Sequence, residues 1–145
     1  MDGRTAAAVV ILEDEALVAV DLEDHLRDAG FQVAATFSSN RAALGWFRAH
    51  SPDVVVMDIE LQDGDCIEIA QLLYSRNVPF VVHSASVANS GFHHPIFLTG
   101  EWVAKPCLPS ALIEAVRSAL TLAGDVDDSP ALVSSSKARG GVRSG

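Results

Sequence analysis

The sequence predicts an α/β fold in which a doubly wound, five-stranded parallel sheet carries helices on both faces. Short apolar runs of strand length recur along the 145 residues, and amphipathic segments with a helical period separate them. The runs are continuously apolar rather than alternating, which is typical of parallel strands that are buried on both faces. Right-handed crossovers would place the carboxyl ends of all five strands at one edge of the sheet.

The first half of the chain reads as two strand–helix units. Residues 8–12 form a buried strand, and the apolar spacing over 15–29 predicts a helix. This helix should end at Gly30, where glycine tolerates a left-handed backbone. Residues 31–35 alternate weakly and predict a second strand, and a capped helix follows to about Ala49.

The second half continues the same alternation. Its elements are a central strand at 53–58, a turn at 63–65, a helix buried through Cys66, Ile69, Ala70 and Leu73, a strand at 80–83, a strand at 101–105 and a helix opened by Pro109-Ser110. Glycine and proline interrupt residues 85–100, which predicts at most a short helix near 86–91. Residues 125–145 are rich in serine and glycine, so we expect one domain over 1–124 and a disordered tail.

The composition argues against several classes of protein. The net charge is −9, and residues 1–124 hold 16 acidic against 7 basic side chains, so no basic face for nucleic acid is expected. No apolar run reaches membrane-spanning length and the first residues show no signal-peptide pattern. We therefore expect a cytoplasmic protein that contacts neither nucleic acid nor membrane. Cys66 and Cys107 form no CxxC pair and should be free thiols.

Polar side chains follow four of the predicted strands. Glu13 and Asp14 follow the first, Asp58 the third, Ser84 the fourth and Lys105 the last. If the strand order is 2-1-3-4-5, the first and third strands are neighbours, and three carboxylates crowd together. Like charges raise each other's pKa, and a hard cation such as Mg²⁺ relieves that repulsion. The alternative is that the acids form a solvated helix start, favoured by the helix dipole.

This pattern resembles the receiver domain of response regulators in two-component signalling, over about residues 7–123. The motifs that carry the resemblance are Glu13-Asp14, Asp58, Ser84-Ala85 and Lys105-Pro106, in that order. The resemblance implies a flavodoxin-like sheet of order 2-1-3-4-5 and a bacterial phosphoprotein of the stand-alone, single-domain type. It also implies a protein that catalyses only its own phosphorylation and dephosphorylation and is otherwise not an enzyme.

The resemblance further implies a role for each matching residue. Asp58 would accept a phosphoryl group from a sensor histidine kinase or a phosphotransfer protein. Mg²⁺ would be held by Glu13, Asp14, Asp58 and the backbone carbonyl of Glu60. Output would follow through protein contact or onward phosphotransfer.

Three further side chains would respond to the phosphoryl group. Lys105 would contact one of its oxygens, and Ser84 would bind another and so sense phosphorylation. Trp102, three residues before the lysine, stands at the aromatic switch position.

The chain departs from the common receiver pattern in several places. The first acid is Glu13 rather than aspartate, Cys107 stands where phenylalanine often follows Lys-Pro, and the loop after Asp58 lacks the usual proline. The interrupted segment 86–100 resembles a receiver subset common in alphaproteobacteria that often pairs with HWE-type histidine kinases, which makes such a kinase the candidate partner. Receivers often dimerise through their last two helix–strand units, so a homodimer stays open.

Two other functions compete with a phosphorylated receiver. One is a phosphorylation-independent adaptor with the receiver fold, although such an adaptor needs none of the site residues. The other is a small α/β enzyme or flavin carrier, but no glycine-rich phosphate loop follows the first strand.

Overall fold

The computed structural model describes residues 6–85 and 94–128. The strands are β1 (Ala8–Leu12), β2 (Gln32–Phe37), β3 (Val54–Met57), β4 (Glu60–Leu61), β5 (Gly64–Asp65), β6 (Phe80–Ser84) and β7 (Glu101–Ala104). The α-helices are α1 (Ala16–Asp28), α2 (Asn40–Phe47), α3 (Ile67–Ser75) and α4 (Pro109–Asp128), and a 3-10 helix spans Pro95–Thr99. No helix within these described ranges is both long enough and apolar enough to cross a lipid bilayer.

Five of the strands form one parallel sheet in the order β2-β1-β3-β6-β7. When only the five strands of this sheet are numbered along the chain, the order is the predicted 2-1-3-4-5. The predicted doubly wound α/β fold is therefore confirmed. The two short strands β4 and β5 form a separate antiparallel hairpin directly after β3. Because all five strands of the main sheet run in the same direction, the residues that follow them meet at one edge.

The core lies on both faces of the sheet, which explains why the strands are continuously apolar. On one face, alternate residues of β1, β3 and β6 pack against α2 and α3, where Phe47 and Leu73 are fully buried. On the other face, the intervening strand residues pack against α1 and α4 through Leu26 and Val116. The predicted buried face of α3 is confirmed, since all four of its residues belong to the first core cluster.

A glycine follows the end of α1, and polar side chains cap the start of α2. Gly30 follows α1 with a φ of 96°, a left-handed conformation in which a glycine was predicted. The Ser39 hydroxyl accepts a hydrogen bond from the Ala42 N–H and caps α2. The Asp63 carboxylate, from the β4–β5 hairpin, also accepts from the N–H groups of Asn40 and Arg41 at 2.8 and 3.0 Å. The hairpin that follows β3 is thereby fastened to the start of α2.

Several predicted boundaries differ from the structure by one to a few residues, and two of these differences have an identifiable physical cause. The second strand was expected at 31–35 but spans Gln32–Phe37, because its pairing with β1 shifts between Val9 and Val10 and then continues to Phe37. That irregularity, which places one extra residue in β2, also explains its weak alternation. The last helix passes through Gly124 and ends at Asp128, since a glycine inside a helix costs only about 1 kcal/mol relative to alanine.

The structure describes only part of the segment 85–100 and of the tail, so it tests only some of the predictions made for them. The 3-10 helix at Pro95–Thr99 lies inside the segment expected to lack regular structure, and Pro95 fits its first turn. The short helix expected near 86–91 falls outside the described residues. The tail expected from residue 125 is helical up to Asp128, and its remainder is likewise outside the described residues.

Candidate functional site

Three carboxylates meet where β1 and β3 end. Asp58 directly follows β3, and its N–H donates to the Leu12 carbonyl at 2.9 Å, which holds it against β1. Glu13 directly follows β1 and is buried, whereas Asp14 is exposed and Asp58 is partly buried. One ligand atom from each of these three acids can be chosen so that all lie within 4.8 Å of one another. The structure therefore brings together the acids that the sequence placed on one edge.

Lys105 joins this cluster from the end of β7, which lies two strands away from β3 in the sheet. It follows β7, and its N–H donates to the Ser84 carbonyl at the end of β6. Its Nζ reaches across β6 to lie 2.7 Å from Asp58 Oδ2 and 2.9 Å from Glu13 Oε1. A longer contact of 3.7 Å joins Nζ to Glu15 Oε1. One ammonium group is thus shared by carboxylates from two neighbouring strand ends.

The pKa values of Glu13 and Lys105 are both raised, but for different reasons. Burial raises the pKa of the Glu13 carboxyl, and its contacts with Lys105 and with the Glu15 N–H only partly offset that rise. Burial also acts to lower the pKa of Lys105, but hydrogen bonds to Asp58 and Glu13 outweigh it and keep that pKa raised. The Lys105 ammonium group is therefore protonated at neutral pH. For Glu13, burial disfavours the charged form of the carboxyl group.

The residues present fit a divalent cation. Glu13, Asp14 and Asp58 carry three formal negative charges against one on Lys105, which leaves a deficit that a divalent ion would match. Apart from its ion pair with Lys105, the buried Glu13 Oε1 has no hydrogen-bond partner in the described part of the chain. Carboxylate oxygens with space for water are the ligands that Mg²⁺ prefers. The alternative of a solvated helix start does not describe Glu13, which is buried, although its Oε2 accepts from the Glu15 N–H at 3.1 Å just before α1.

Ser84 and Trp102 occupy neighbouring positions on β6 and β7. Ser84 is the buried last residue of β6, and Ala104 lies opposite it on β7. Trp102 lies opposite Val82 and is partly buried against the first core cluster. Its indole N–H donates to the Phe97 carbonyl at 2.8 Å, which connects β7 to the 3-10 helix.

Several other side chains lie on the elements that carry this cluster. Glu60 begins β4 two residues after Asp58, with an exposed side chain. His83 is buried on β6, and burial, followed by the nearby charge of Lys105, lowers its pKa, so the ring is neutral at pH 7. Its Nε2 lies 3.6 Å from Sγ of Cys107, and both cysteines are free thiols, as predicted.

One contact of the site was missed by sequence reasoning. The Cys66 thiol donates to the backbone carbonyl of Asp58 at 3.1 Å, although the sequence pattern assigned Cys66 only to the buried face of a helix. Burial raises the pKa of this thiol to about 12, so it is a neutral donor. Nothing in the sequence spacing signals this contact, because it depends on how the hairpin after β3 returns to α3.

Comparison with known sequences gives a consistent result. The family model of the response regulator receiver domain matches residues 9–117. The transcriptional regulatory protein PdtaR of Mycobacterium tuberculosis is 33 % identical over 85 residues, which cover 58 % of this chain and 42 % of that protein. The chain thus spans less than half the length of PdtaR. The chemotaxis protein CheY of Thermotoga maritima is 27 % identical over 111 residues, covering 74 % of this chain and 92 % of CheY.

Solved structures agree with the sequence comparisons. The receiver domain of the Erythrobacter litoralis response regulator PhyR, solved by NMR, superposes with a TM-score of 0.69 at 26 % identity, covering 81 % of this chain and 92 % of that one. A response regulator receiver protein from Sinorhizobium medicae gives 0.70 at 29 % identity, covering 81 % and 97 %. The matched sequence, the sheet order and the clustered acids lead to one assignment: this chain belongs to the response regulator receiver domain family.

Proposed function

We propose that this protein is a single-domain response regulator that accepts a phosphoryl group on Asp58 in a reaction that depends on Mg²⁺. The observation that carries the proposal is the position of Lys105 Nζ, which lies within 3 Å of both Asp58 and Glu13 where β1 and β3 end. Members of the receiver family interact with histidine kinases or phosphotransfer proteins and are generally signalling proteins rather than enzymes.

The reaction would use Asp58 as the nucleophile. A carboxylate oxygen of Asp58 forms a bond to phosphorus while the phosphorus–nitrogen bond of a phosphohistidine breaks, and the electron pair of that bond returns to the imidazole. A carboxylate nucleophile has no proton to lose before it attacks. Lys105 would leave its ion pair with Asp58 and donate to an oxygen of the transferred group, whose charge it helps to neutralise.

A bound Mg²⁺ ion would supply further positive charge to the phosphoryl oxygens. Glu13, Asp14, Asp58 and the Glu60 carbonyl are the groups proposed to hold it. The buried carboxylate of Glu13 is the least solvated of the three acids, so it would be relieved most by a second nearby cation. Asp14 is exposed, and its carboxylate would complete the set of three acids that hold the ion.

Ser84 and Trp102 are proposed to transmit the phosphorylated state. Ser84 lies beside Lys105, so its hydroxyl is within the same strand-end region as Asp58. A hydrogen bond from Ser84 to the phosphoryl group would bias the segment that follows β6. Trp102 would respond through its hydrogen bond to Phe97, since that bond ties the sheet to the 3-10 helix. Such a response is a shift between two packings of one fold.

The proposed partner is a protein that docks over the strand-end edge. Two large apolar side chains that follow the site residues in the sequence are exposed: Leu17 at 83 % in the first turn of α1, and Leu108 at 72 % just before α4. Leu17 follows Asp14 by three residues, and Leu108 follows Lys105 by three. We propose that these two side chains contribute apolar contact area to the partner protein. We propose a sensor histidine kinase, of the HWE type, or a phosphotransfer protein for this surface.

The test is phosphorylation of the purified chain with acetyl phosphate and, in parallel, binding of beryllofluoride followed by NMR, each with and without Mg²⁺. We expect intact mass to show one added phosphoryl group that requires both Mg²⁺ and Asp58. The Asp58→Asn variant should remain unlabelled. Asp24→Asn, which neutralises an exposed acid on α1, is the matched control and should label like the wild type.

Two results would contradict the proposal. Labelling that persists in Asp58→Asn would show that another side chain accepts the phosphoryl group. A wild-type protein that gives no Mg²⁺-dependent response to either reagent would favour the phosphorylation-independent adaptor.

A further inference from the structure

Cys66 donates hydrogen bonds to two successive carbonyl groups of the loop that carries Asp58. Its thiol Sγ lies 3.1 Å from the Asp58 carbonyl oxygen, and its backbone N–H donates to the Ile59 carbonyl at 2.9 Å. We propose that Cys66 is a positioning residue: by fixing these two carbonyls, it orients the next one, that of Glu60, towards the proposed Mg²⁺ position. This inference rests on the proposed function, in which the Glu60 carbonyl is a ligand.

The thiol is held in place by its surroundings. Cys66 is fully buried, and its Sγ is also 3.6 Å from the Met57 sulfur. Its own carbonyl accepts from the Ala70 N–H and so begins the hydrogen-bonding of α3. Ile69, one turn into that helix, is fully buried in the core below the sheet edge. The donor is therefore attached to a rigid helix start rather than to a mobile loop.

The loop between Asp58 and Cys66 is closed on itself. The Asp58 N–H donates to Leu12 of β1 and the Asp58 carbonyl accepts from Cys66, so the two successive peptide groups that flank Asp58 are both held in place. Between these anchors, Glu60 pairs with Asp65 across the β4–β5 hairpin. Within the described part of the chain, the thiol is the side-chain donor to the Asp58 carbonyl. Loss of the thiol would free the Asp58 carbonyl, while the bond from the Cys66 N–H to the Ile59 carbonyl, the hairpin and the helix remain.

The chain offers a matched pair of variants for this proposal. Cys66→Ser keeps a hydroxyl donor, whereas Cys66→Ala removes the donor, and both lose the large sulfur atom. Ile69→Val is a packing control, because it removes one buried methylene from the same helix without touching the loop. The measurements are a MgCl₂ titration followed by ¹⁵N NMR, the rate of labelling by acetyl phosphate, and thermal unfolding.

We expect Cys66→Ala to weaken Mg²⁺ affinity and slow labelling by about threefold, as for the loss of one weak hydrogen bond. Cys66→Ser should stay close to the wild type, and Ile69→Val should unfold at a lower temperature with unchanged Mg²⁺ affinity. Equal losses in the alanine and serine variants, or the same loss in Ile69→Val, would show a packing effect and overturn the proposal. An alanine variant that behaves like the wild type would overturn it as well.

The same NMR samples separate this inference from the proposed function. If the wild type neither binds Mg²⁺ nor takes a phosphoryl group, the proposed function has failed. The amide resonances of Ile59 and Glu60 without metal then decide the role of Cys66. They should move in the alanine variant and stay near their wild-type positions in the serine variant; unmoved resonances in the alanine variant would refute the positioning role.

Discussion

Replacement of Lys105 by methionine is the most direct test of the electrostatics at the sheet edge. Lys105→Met keeps the apolar stem and removes the ammonium group that lies 2.9 Å from Glu13 and 2.7 Å from Asp58. The Glu13 side chain is only 1 % exposed, so water cannot replace the lost cation there. The variant therefore leaves a buried carboxylate without a counter-charge, beside a second carboxylate of the same sign.

The size of the effect follows from the burial of the three groups. Removing one partner of a fully buried ion pair costs about 3–5 kcal/mol. Here the Lys105 and Asp58 side chains are 15 % and 17 % exposed, and Glu13 can take up a proton because burial already raises its pKa. We therefore expect the free energy of unfolding to fall by about 2 kcal/mol at pH 7 without metal. Mg²⁺ should stabilise this variant more than the wild type, because it supplies the missing positive charge.

The assay is urea unfolding followed by circular dichroism, with and without MgCl₂. Glu13→Gln is added to both the wild type and Lys105→Met to complete a double-mutant cycle, and we expect a coupling of about 1 kcal/mol or more. Arg117→Met, which removes a charge from an exposed position of α4, is the control and should change stability by less than about 0.5 kcal/mol. Additive effects of the two substitutions, or an equal response of variant and wild type to Mg²⁺, would refute the reasoning.

Two further predictions concern stability away from the acids. Gly100→Ala should destabilise the fold by about 1–3 kcal/mol, because its Cβ would lie 2.7 Å from the Phe80 carbonyl oxygen; an unchanged urea midpoint would contradict this. The pKa of His83 is lower in the folded protein than its ordinary 6.5, so the unfolded chain binds the extra proton first as the pH falls. Stability should therefore decrease below about pH 6.5, and His83→Leu should flatten that slope; parallel slopes in both proteins would refute it.

Some features of the fold were predictable because they depend on local pattern. The continuous apolar runs reflect strands buried on both faces, and they predicted the number and direction of the strands of the main sheet. The glycine after α1 and the apolar face of α3 were predictable for the same reason. The extent of β2 was not, because a register shift against β1 depends on its neighbour rather than on its own residues.

Some features of the candidate site were likewise predictable from the sequence, and others depend on the tertiary structure. The sequence by itself determined which charged and polar groups follow the strands, and hence that acids and a lysine share one edge. Only the tertiary structure decided that Lys105 bridges two carboxylates, one of them 47 residues earlier in the chain, and that the Cys66 thiol holds the Asp58 carbonyl. Such contacts depend on side-chain reach and loop path, where shifts of about 1 Å separate a hydrogen bond from none, and no periodic pattern encodes distances of that size.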